Sequence, residues 1–153
     1  MPTDRPTRIY VASSWRCERQ PAVVAGLRAE GFEVYDFRHP APGNEGFRWR
    51  DIDPGWVSWS GPRFRAALQH PAAQAGYKAD HDAMVWADAC VLVLPCGRSA
   101  HLEAGEFIGA RKPLVILLDE ANEPELMYLG ASALCVDLDE VFSALRVHRP
   151  RRP

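Results

Sequence analysis

The residue best placed to do chemistry in this chain is Glu103. It follows the most strand-like run of the sequence, residues 90–94, after a break at residues 95–97. A buried strand that leads into a helix in this way places the helix's first turn at the carboxyl edge of a sheet, where open α/β sheets bind ligands. The positive end of the helix dipole favours an ionised carboxylate there. An ionised, fixed glutamate can act as a nucleophile, although an acid in a first turn also serves simply to stabilise its helix.

The pattern around Glu103 predicts which side of its helix is buried. Gly105 and Gly109 lie one turn apart, and small residues let a helix pack close to a sheet. Together with Leu102 and Ile108 they predict the buried face. Glu103 then lies around from that face, where its side chain can reach over the edge of the sheet.

Strand and helix signals alternate along the chain, as in α/β proteins. Strand-like runs lie at residues 8–12, 32–36, 90–94, 114–118 and 133–136, and helical segments at 21–31, 78–88, 100–111 and 138–145. The continuous apolar run at 114–118 is typical of a central parallel strand. Right-handed crossovers then place helices on both faces of a parallel sheet. We therefore expect a flavodoxin-like three-layer sandwich with a five-stranded parallel sheet.

One stretch breaks this alternation. We expect a single domain over residues 1–146, in which residues 40–76 form a long loop rich in Trp and Pro, with a short helix near 62–69. Long irregular segments inside compact domains are usually lids or binding loops. Its tryptophans, Trp49, Trp56 and Trp59, either stack on a flat ligand such as a base or anchor the loop. Residues 147–153 are basic and Pro-rich, and we expect a disordered tail.

Composition limits the kinds of partner. The 153 residues are 47% apolar and 25% charged, which is an ordinary soluble profile. A net charge of −2 provides no general attraction to nucleic acid polymers or anionic membranes. No apolar run approaches the roughly 18 residues of a membrane span, and the first residues do not resemble a signal peptide. We expect a cytoplasmic protein with a small-molecule partner.

The cysteines and histidines do not predict a metal site. Cys17, Cys90, Cys96 and Cys135 form no CxxC pair and show no metal-ligand spacing with the five histidines. Cys96 lies in the loop that leads to Glu103, where we expect a structural thiol. Residues 12–16 replace the glycine-rich loop that a dinucleotide site needs after the first strand. We therefore expect no metal and no cofactor.

Three segments, in order, resemble the nucleoside 2-deoxyribosyltransferase superfamily. They are residues 9–16 with the following Arg19-Gln20, residues 80–88, and residues 99–105. This superfamily includes deoxynucleoside-monophosphate N-glycosidases and hydroxymethyl-CMP hydrolases, and His-x-Glu and Asp-His-Asp here are most similar to the hydrolases. The resemblance covers about residues 7–145 apart from the long loop. The usual Leu or Ile after the glutamate is replaced here by Ala104.

The resemblance implies three catalytic residues. Glu103 would attack C1′ of the sugar and form a covalent glycosyl-enzyme, as in retaining glycosidases. Asp80, eight residues before Asp88, would orient the leaving base or supply its proton, with Asp82 as the rival for that role. Tyr10 would position the nucleophile, unless it is only a strand aromatic packed under the first helix.

The resemblance also implies a substrate-binding set. Ser14 and Arg16 correspond to phosphate-contacting positions in the monophosphate N-glycosidases. Backbone N–H groups at the start of the Glu103 helix would add an anion site. The family's Ser at the start of this loop is Gly97 here, and Ser99 is the residue that can compensate. The implied substrate-binding residues are Ser14, Trp15, Arg16, Gly97, Arg98, Ser99 and His101.

These inferences together predict an enzyme that breaks the N-glycosidic bond of a (deoxy)nucleoside or its 5′-monophosphate. Hydrolysis is favoured over transfer to a second base, while base and sugar identity stay open. The alternatives are a TIR-like NAD hydrolase and a non-catalytic nucleotide sensor on the same fold. The resemblance further implies a homo-oligomer, a dimer or larger.

Overall fold

A computed structural model describes residues 5–120 and 124–148. The chain divides into two compact units, one formed by Phe37–Val85 and the other by the segments on either side of it. None of the described helices has both the length and the apolar composition needed to cross a membrane. Most of the predicted basic tail lies outside the described residues. Within them, Val147 is the last residue of a helix rather than part of a tail.

The larger unit contains one five-stranded sheet in which every neighbouring pair is parallel. Its strands are β1 (Arg8–Ala12), β2 (Glu33–Asp36), β3 (Ala89–Val93), β4 (Leu114–Leu117) and β5 (Ala133–Cys135). The order is β2-β1-β3-β4-β5, which is the flavodoxin-like order. Every residue of β3 and β4 is buried, as their uninterrupted apolar sequences predict. The predicted fold class is confirmed.

The helices are α1 (Gln20–Ala29), α2 (Gly61–Ala67), α3 (Pro71–Trp86), α4 (Arg98–Gly109) and α5 (Leu138–Val147). Successive side chains of a strand point to opposite faces of the sheet. On β1, Ile9 and Val11 belong to the apolar core shared with α1 and α5. Tyr10, between them, contacts Phe107 of α4. Helices α1 and α5 therefore cover one face and α4 covers the other.

The strand order locates a crevice. The crossover from β1 leads to β2 on one side, and the crossovers from β3 lead to β4 and β5 on the other side. At such a switch point the loops after the two strands diverge, and the opening between them is where this architecture binds ligands. The loops concerned are residues 13–19 after β1 and residues 94–97 after β3.

The opposite edge of the sheet is held by Asp88. Its carboxylate accepts two hydrogen bonds of 2.8 Å from the Arg5 guanidinium and one of 2.9 Å from the backbone N–H of Arg8. The backbone N–H of Asp88 in turn donates to the Arg8 carbonyl at 2.8 Å. Asp88 thus joins the amino ends of β1 and β3. These structural contacts are sufficient to explain an aspartate at the start of the third strand.

The smaller unit is more regular than its sequence suggests. It contains two 3₁₀ turns, Trp49–Asp51 and Trp56–Ser58, followed by α2 and most of α3. Helix α3 begins at Pro71, seven residues before the predicted start. The predicted short helix is confirmed as α2.

The smaller unit contains an aromatic cluster. The Trp49 ring lies 4.8 Å from that of Phe47, 5.8 Å from Trp59 and 5.6 Å from Phe64. The Trp59 indole N–H also donates to Asp53 at 2.6 Å. These contacts favour the anchoring alternative for two of the tryptophans. Stacking on a ligand base, and the role of a lid, stay predictions.

Candidate active site at the β1/β3 crevice

Helix α4 begins earlier than its sequence suggests, and this changes the position of Glu103. The helix starts at Arg98 after the extended Gly97, so Glu103 is its sixth residue and lies in the second turn. The first turn contains no acidic residue. Because the dipole effect falls off within the first turn, the sequence-based argument from the helix dipole is wrong for Glu103.

The predicted buried face of α4 is also wrong. Leu102 is 77% exposed and Ile108 is 40% exposed. A Cβ added to Gly105 or Gly109 would meet no atom within 4 Å, so neither glycine marks a close approach. The helix residues that are buried are Ala100, Ala104 and Phe107. The alanines, rather than the glycines, therefore allow α4 to pack close to the sheet.

Glu103 lies on the sheet-facing side of α4, next to these residues. Residues four apart on a helix are neighbours, so Glu103 sits one turn before Phe107 and is half-buried. The pKa of the Cys90 thiol on β3 is raised well above its ordinary value, first by burial and then by the negative charge of Glu103. Glu103 therefore lies close to the sheet rather than pointing into solvent.

Tyr10 lies beneath the same helix. Its side chain is 1% exposed, and its ring lies 5.8 Å from the Phe107 ring and 5.4 Å from the Tyr35 ring. It packs under α4 and not under the first helix, which was the alternative considered from the sequence. Tyr10, Phe107 and Glu103 thus form a continuous path from β1 to the site. That Tyr10 positions the nucleophile stays a prediction.

Arg19 ties the carboxyl ends of two strands together. Its guanidinium donates to the carbonyl of Leu94 at 2.6 Å and to those of Leu117 and Leu118 at 3.3 and 3.0 Å. The hydroxyl of Ser13 donates to the Val93 carbonyl at 2.9 Å. The loop after β1 is therefore fixed to the ends of β3 and β4. Sequence reasoning assigned no role to Arg19, because its partners are backbone carbonyls that no motif reveals.

His101 lies on the other side of α4 from Glu103. Two residues along a helix correspond to about 200° of rotation. The Nδ1 atom of His101 lies 2.8 Å from the Gly97 carbonyl oxygen, and its Nε2 atom lies 2.8 Å from the hydroxyl of Tyr128. These contacts favour a role in fixing the turn before α4. Substrate binding by His101 stays a prediction.

Cys96 is the cysteine of the loop after β3, beside the crevice. Burial, and then the neighbouring Cys17, Glu103 and Asp119, raise the pKa of Cys96 to about 12. A thiol of this pKa is a poor nucleophile. Within residues 5–120 and 124–148, no three His, Cys, Asp or Glu side chains come together in a way that could hold a metal ion.

The predicted phosphate-binding residues lie on the loop after β1 and at the start of α4, on the two sides of the crevice. Ser14, Trp15 and Arg16 follow β1, where the Ser14 hydroxyl accepts a 3.1 Å hydrogen bond from the Arg16 backbone N–H. Arg16 is exposed, and so are Gly97, Arg98 and Ser99 after β3. No side chain caps the first turn of α4. The fold thus brings both predicted groups to one edge of the sheet, and their ligand stays a prediction.

The two candidate second acids belong to the smaller unit. Asp80 on α3 is half-buried. Asp82 pairs with Lys78 one turn away, and its side chain is 61% exposed. Within their own unit these surroundings favour Asp80 over Asp82 as the functional acid. A joint action with Glu103 stays a prediction.

Comparison with known proteins shows likeness in structure only. No protein-family model matches the chain, and no curated protein matches it. The 2-deoxyribosyltransferase of Bacillus psychrosaccharolyticus superposes with a TM-score of 0.58 at 20% identity, covering 89% of this chain and 90% of that one. The CMP N-glycosidase of Clostridium botulinum gives a TM-score of 0.52 at 16% identity, covering 92% and 99%.

A third structure, a conserved protein from Enterococcus faecalis V583, gives a TM-score of 0.57 at 12% identity and covers 93% of this chain and 98% of that one. At such identities the likeness establishes the fold. The fold implied by the resemblance to the 2-deoxyribosyltransferase superfamily is confirmed, whereas membership of that superfamily stays a prediction.

Proposed function

We propose that this protein, whose fold is shared with a 2-deoxyribosyltransferase and a CMP N-glycosidase, breaks the N-glycosidic bond of a nucleoside or a nucleoside 5′-monophosphate. The observation that carries the proposal is the half-buried Glu103. It lies on the sheet-facing side of α4, beside the switch point between β1 and β3. A carboxylate next to a ligand-binding crevice suits nucleophilic attack at a sugar carbon.

In the proposed reaction, a carboxylate oxygen of Glu103 forms an ester bond to C1′ while the bond from C1′ to the base nitrogen breaks. The base leaves with the electron pair of that bond and takes up a proton. The transition state resembles an oxocarbenium ion, as in retaining glycosidases. Water then attacks C1′ and breaks the ester bond, so that its oxygen becomes the sugar hydroxyl and Glu103 regains its carboxylate. The proton that water loses goes to the group that protonated the base.

The proton for the leaving base is assigned to Asp80. This role requires that Asp80 carry a proton in the substrate complex while Glu103 is ionised. The half-buried position of Asp80 supports this choice over the solvent-exposed Asp82, which is paired with Lys78.

A 5′-phosphate is assigned to the loops on both sides of the crevice. Arg16 and Arg98 supply charge, Ser14 and Ser99 supply hydroxyl groups, and the uncapped first turn of α4 supplies backbone N–H donors. If a second base, instead of water, resolves the intermediate, the same chemistry makes the protein a transferase. We further propose that it acts as a dimer or larger homo-oligomer.

The test is chromatography of free base after incubation with a panel of (deoxy)nucleosides and their 5′-monophosphates, with and without a second base. We expect base release that Glu103→Gln lowers by about a thousandfold or more, because the amide cannot form the ester. Glu106→Gln is the matched control. It removes the same charge from the same helix at an exposed position and should change the rate less than about twofold.

Trapping the intermediate tests the mechanism separately. A 2′-fluorinated nucleoside slows release of the glycosyl group, and we expect one sugar added to Glu103 by peptide mass spectrometry. Base release with equal rates in Glu103→Gln and wild type would overturn the assignment of the nucleophile. No release from any substrate would overturn the proposed function, and release of nicotinamide from NAD would then support the NAD hydrolase.

A further inference from the structure

Tyr128 connects a separate part of the chain to the start of the Glu103 helix. It lies in the 3₁₀ helix Leu126–Gly130, which follows β4, and its side chain is half-buried. Its hydroxyl lies 2.8 Å from Nε2 of His101, and the two ring planes are within 12° of each other. The 3₁₀ helix also ends against α4, since a Cβ added to Gly130 would come within 3.1 Å of Ile108.

The contacts of His101 determine where its proton lies. The Gly97 carbonyl oxygen, 2.8 Å from Nδ1, can only accept a hydrogen bond. In the neutral imidazole Nδ1 therefore carries the proton, Nε2 has the lone pair, and the Tyr128 hydroxyl donates to it. Burial, followed by the nearby Cys96, Glu125 and Asp119, raises the pKa of Tyr128, which keeps this donor protonated.

Gly97 needs such a fixed donor. It is the extended residue that precedes α4, it is exposed, and a Cβ added to it would meet nothing within 4 Å. Its carbonyl accepts a weak backbone bond of 3.4 Å from the His101 N–H in addition to the 2.8 Å bond from the ring. The ring bond therefore holds one side of this turn. On the other side, Arg19 holds the Leu94 carbonyl.

We propose that Tyr128 is a positioning residue, which locks His101 in the Nδ1–H tautomer and thereby fixes the Cys96–Gly97 turn from which the Glu103 helix starts. A change in this turn rotates or shifts the first turns of α4 and moves the Glu103 carboxylate. Displacements of about 1 Å cost up to about a hundredfold in rate. The predicted effect on turnover rests on the proposed function, whereas the effect on the turn does not.

Three variants and one double variant test this proposal. Tyr128→Phe removes only the hydroxyl. His101→Asn keeps an amide N–H near the position of Nδ1 and has no tautomer to fix, while His101→Gln places its amide nearer to Nε2. The double variant Tyr128→Phe/His101→Asn asks whether Tyr128 acts only through His101.

Turnover is the first readout. We expect Tyr128→Phe to lower kcat about tenfold with KM changed less than about twofold, because the nucleophile is displaced while binding groups remain. His101→Gln should lose at least as much. His101→Asn provides the background for the double variant, because His101 is itself a predicted substrate-binding residue. Adding Tyr128→Phe to His101→Asn should have no further effect.

Alkylation of Cys96 is the second readout, and it requires no enzymatic activity. Cys96 is the one partly exposed thiol, since Cys17, Cys90 and Cys135 are each at most 2% exposed. Its Sγ atom lies 3.6 Å from Nδ1 of His101. Release of the turn in Tyr128→Phe should speed iodoacetamide labelling of Cys96 by about threefold or more, because local opening exposes the thiol. Tyr77→Phe, at an exposed tyrosine of α3, is the matched control and should leave the rate unchanged.

A lower melting temperature in Tyr128→Phe with unchanged kcat and unchanged labelling would mean that the bond is merely structural and would overturn the proposal. So would an equal effect of Tyr128→Phe in the wild-type and His101→Asn backgrounds. If the wild-type protein releases no base, the proposed function fails, and the labelling rates alone decide whether Tyr128 holds the turn.

Discussion

At the level of single residues, Asp80 and Asp82 carry the same charge and differ in their surroundings. Residues two positions apart on a helix point to nearly opposite sides. Only one of Asp80 and Asp82 can therefore face a given ligand. Asp82 points toward solvent and pairs with Lys78, a contact of the kind that adds only tenths of a kcal/mol to a helix. Asp80 is half-buried, and its side chain is therefore less open to solvent than that of Asp82.

We therefore predict that Asp80→Asn lowers the rate of base release by about a hundredfold or more, because it removes the acid that protonates the leaving base. The loss should be greatest for substrates whose base is the poorest leaving group. Asp82→Asn should stay within about twofold of wild type. Single-turnover rates with a series of bases measure both effects, and a larger loss in Asp82→Asn than in Asp80→Asn would reverse the assignment.

At the level of the elements, Arg19 supplies hydrogen-bond donors to backbone carbonyls at the ends of two strands. The carbonyl groups of Leu94, Leu117 and Leu118 lie where the ladder of the sheet stops, and the guanidinium satisfies all three. Without Arg19, the Leu117 carbonyl keeps the 3.1 Å bond from the Leu94 N–H, and the Leu94 carbonyl keeps only a 3.8 Å contact with the Cys17 thiol. The Leu118 carbonyl loses its bond to the guanidinium, and an unpaired buried acceptor costs about 1–3 kcal/mol.

We predict that Arg19→Met lowers the free energy of unfolding by about 2–4 kcal/mol, since several of these bonds are lost together. Arg16→Met, three residues earlier in the same loop and exposed, should change it by less than about 0.5 kcal/mol. Urea unfolding followed by tryptophan fluorescence measures both. Equal stabilities of the two variants would show that the Arg19 contacts contribute little.

The strands and helix α4 differ in how well the sequence predicts them. The five strands were predicted within about two residues because continuous apolar runs mark parallel strands strongly. Helix α4 was predicted less well, since its buried side is made of alanines, which occur on any face. Its start was missed because Arg98 and Ser99 give no strong signal. Glu103 was proposed from its position after β3, and its role stays a prediction. The contacts of Arg19 and Tyr128 join distant parts of the chain and leave no local pattern.

At the level of the whole molecule, residues 37–85 form a compact unit, of which residues 40–76 were predicted from the sequence as a long loop. Its 3₁₀ turns and its cluster of Trp49, Phe47, Trp59 and Phe64 have no helical or strand period. Periodicity is the main sequence signal of secondary structure, so the sequence pattern does not predict such a unit.

An apolar surface on the larger unit bears on assembly. It combines exposed side chains from α4, the 3₁₀ helix Leu126–Gly130 and the edge strand β5. Its members are Leu102, Ile108, Leu126, Met127, Leu129 and Leu134, which are between 40 and 81% exposed. The 3₁₀ helix packs against α4 through the contact between Gly130 and Ile108. Transfer free energies imply roughly 60–120 Å² per aliphatic side chain, so this surface offers roughly 250–500 Å² of apolar area.

That area approaches what a stable dimer needs. A standard interface covers about 800 Å² on each partner, of which about 60% is apolar. Since a two-fold interface uses the same patch on both subunits, one charge placed in it is buried twice. We therefore predict that the wild-type protein is a dimer and that Leu129→Asp makes it a monomer in sedimentation velocity at micromolar concentration. Val57→Asp, at a 77% exposed position of the smaller unit, should stay dimeric. A wild-type monomer, or a dimer that tolerates Leu129→Asp, would exclude this surface as the interface.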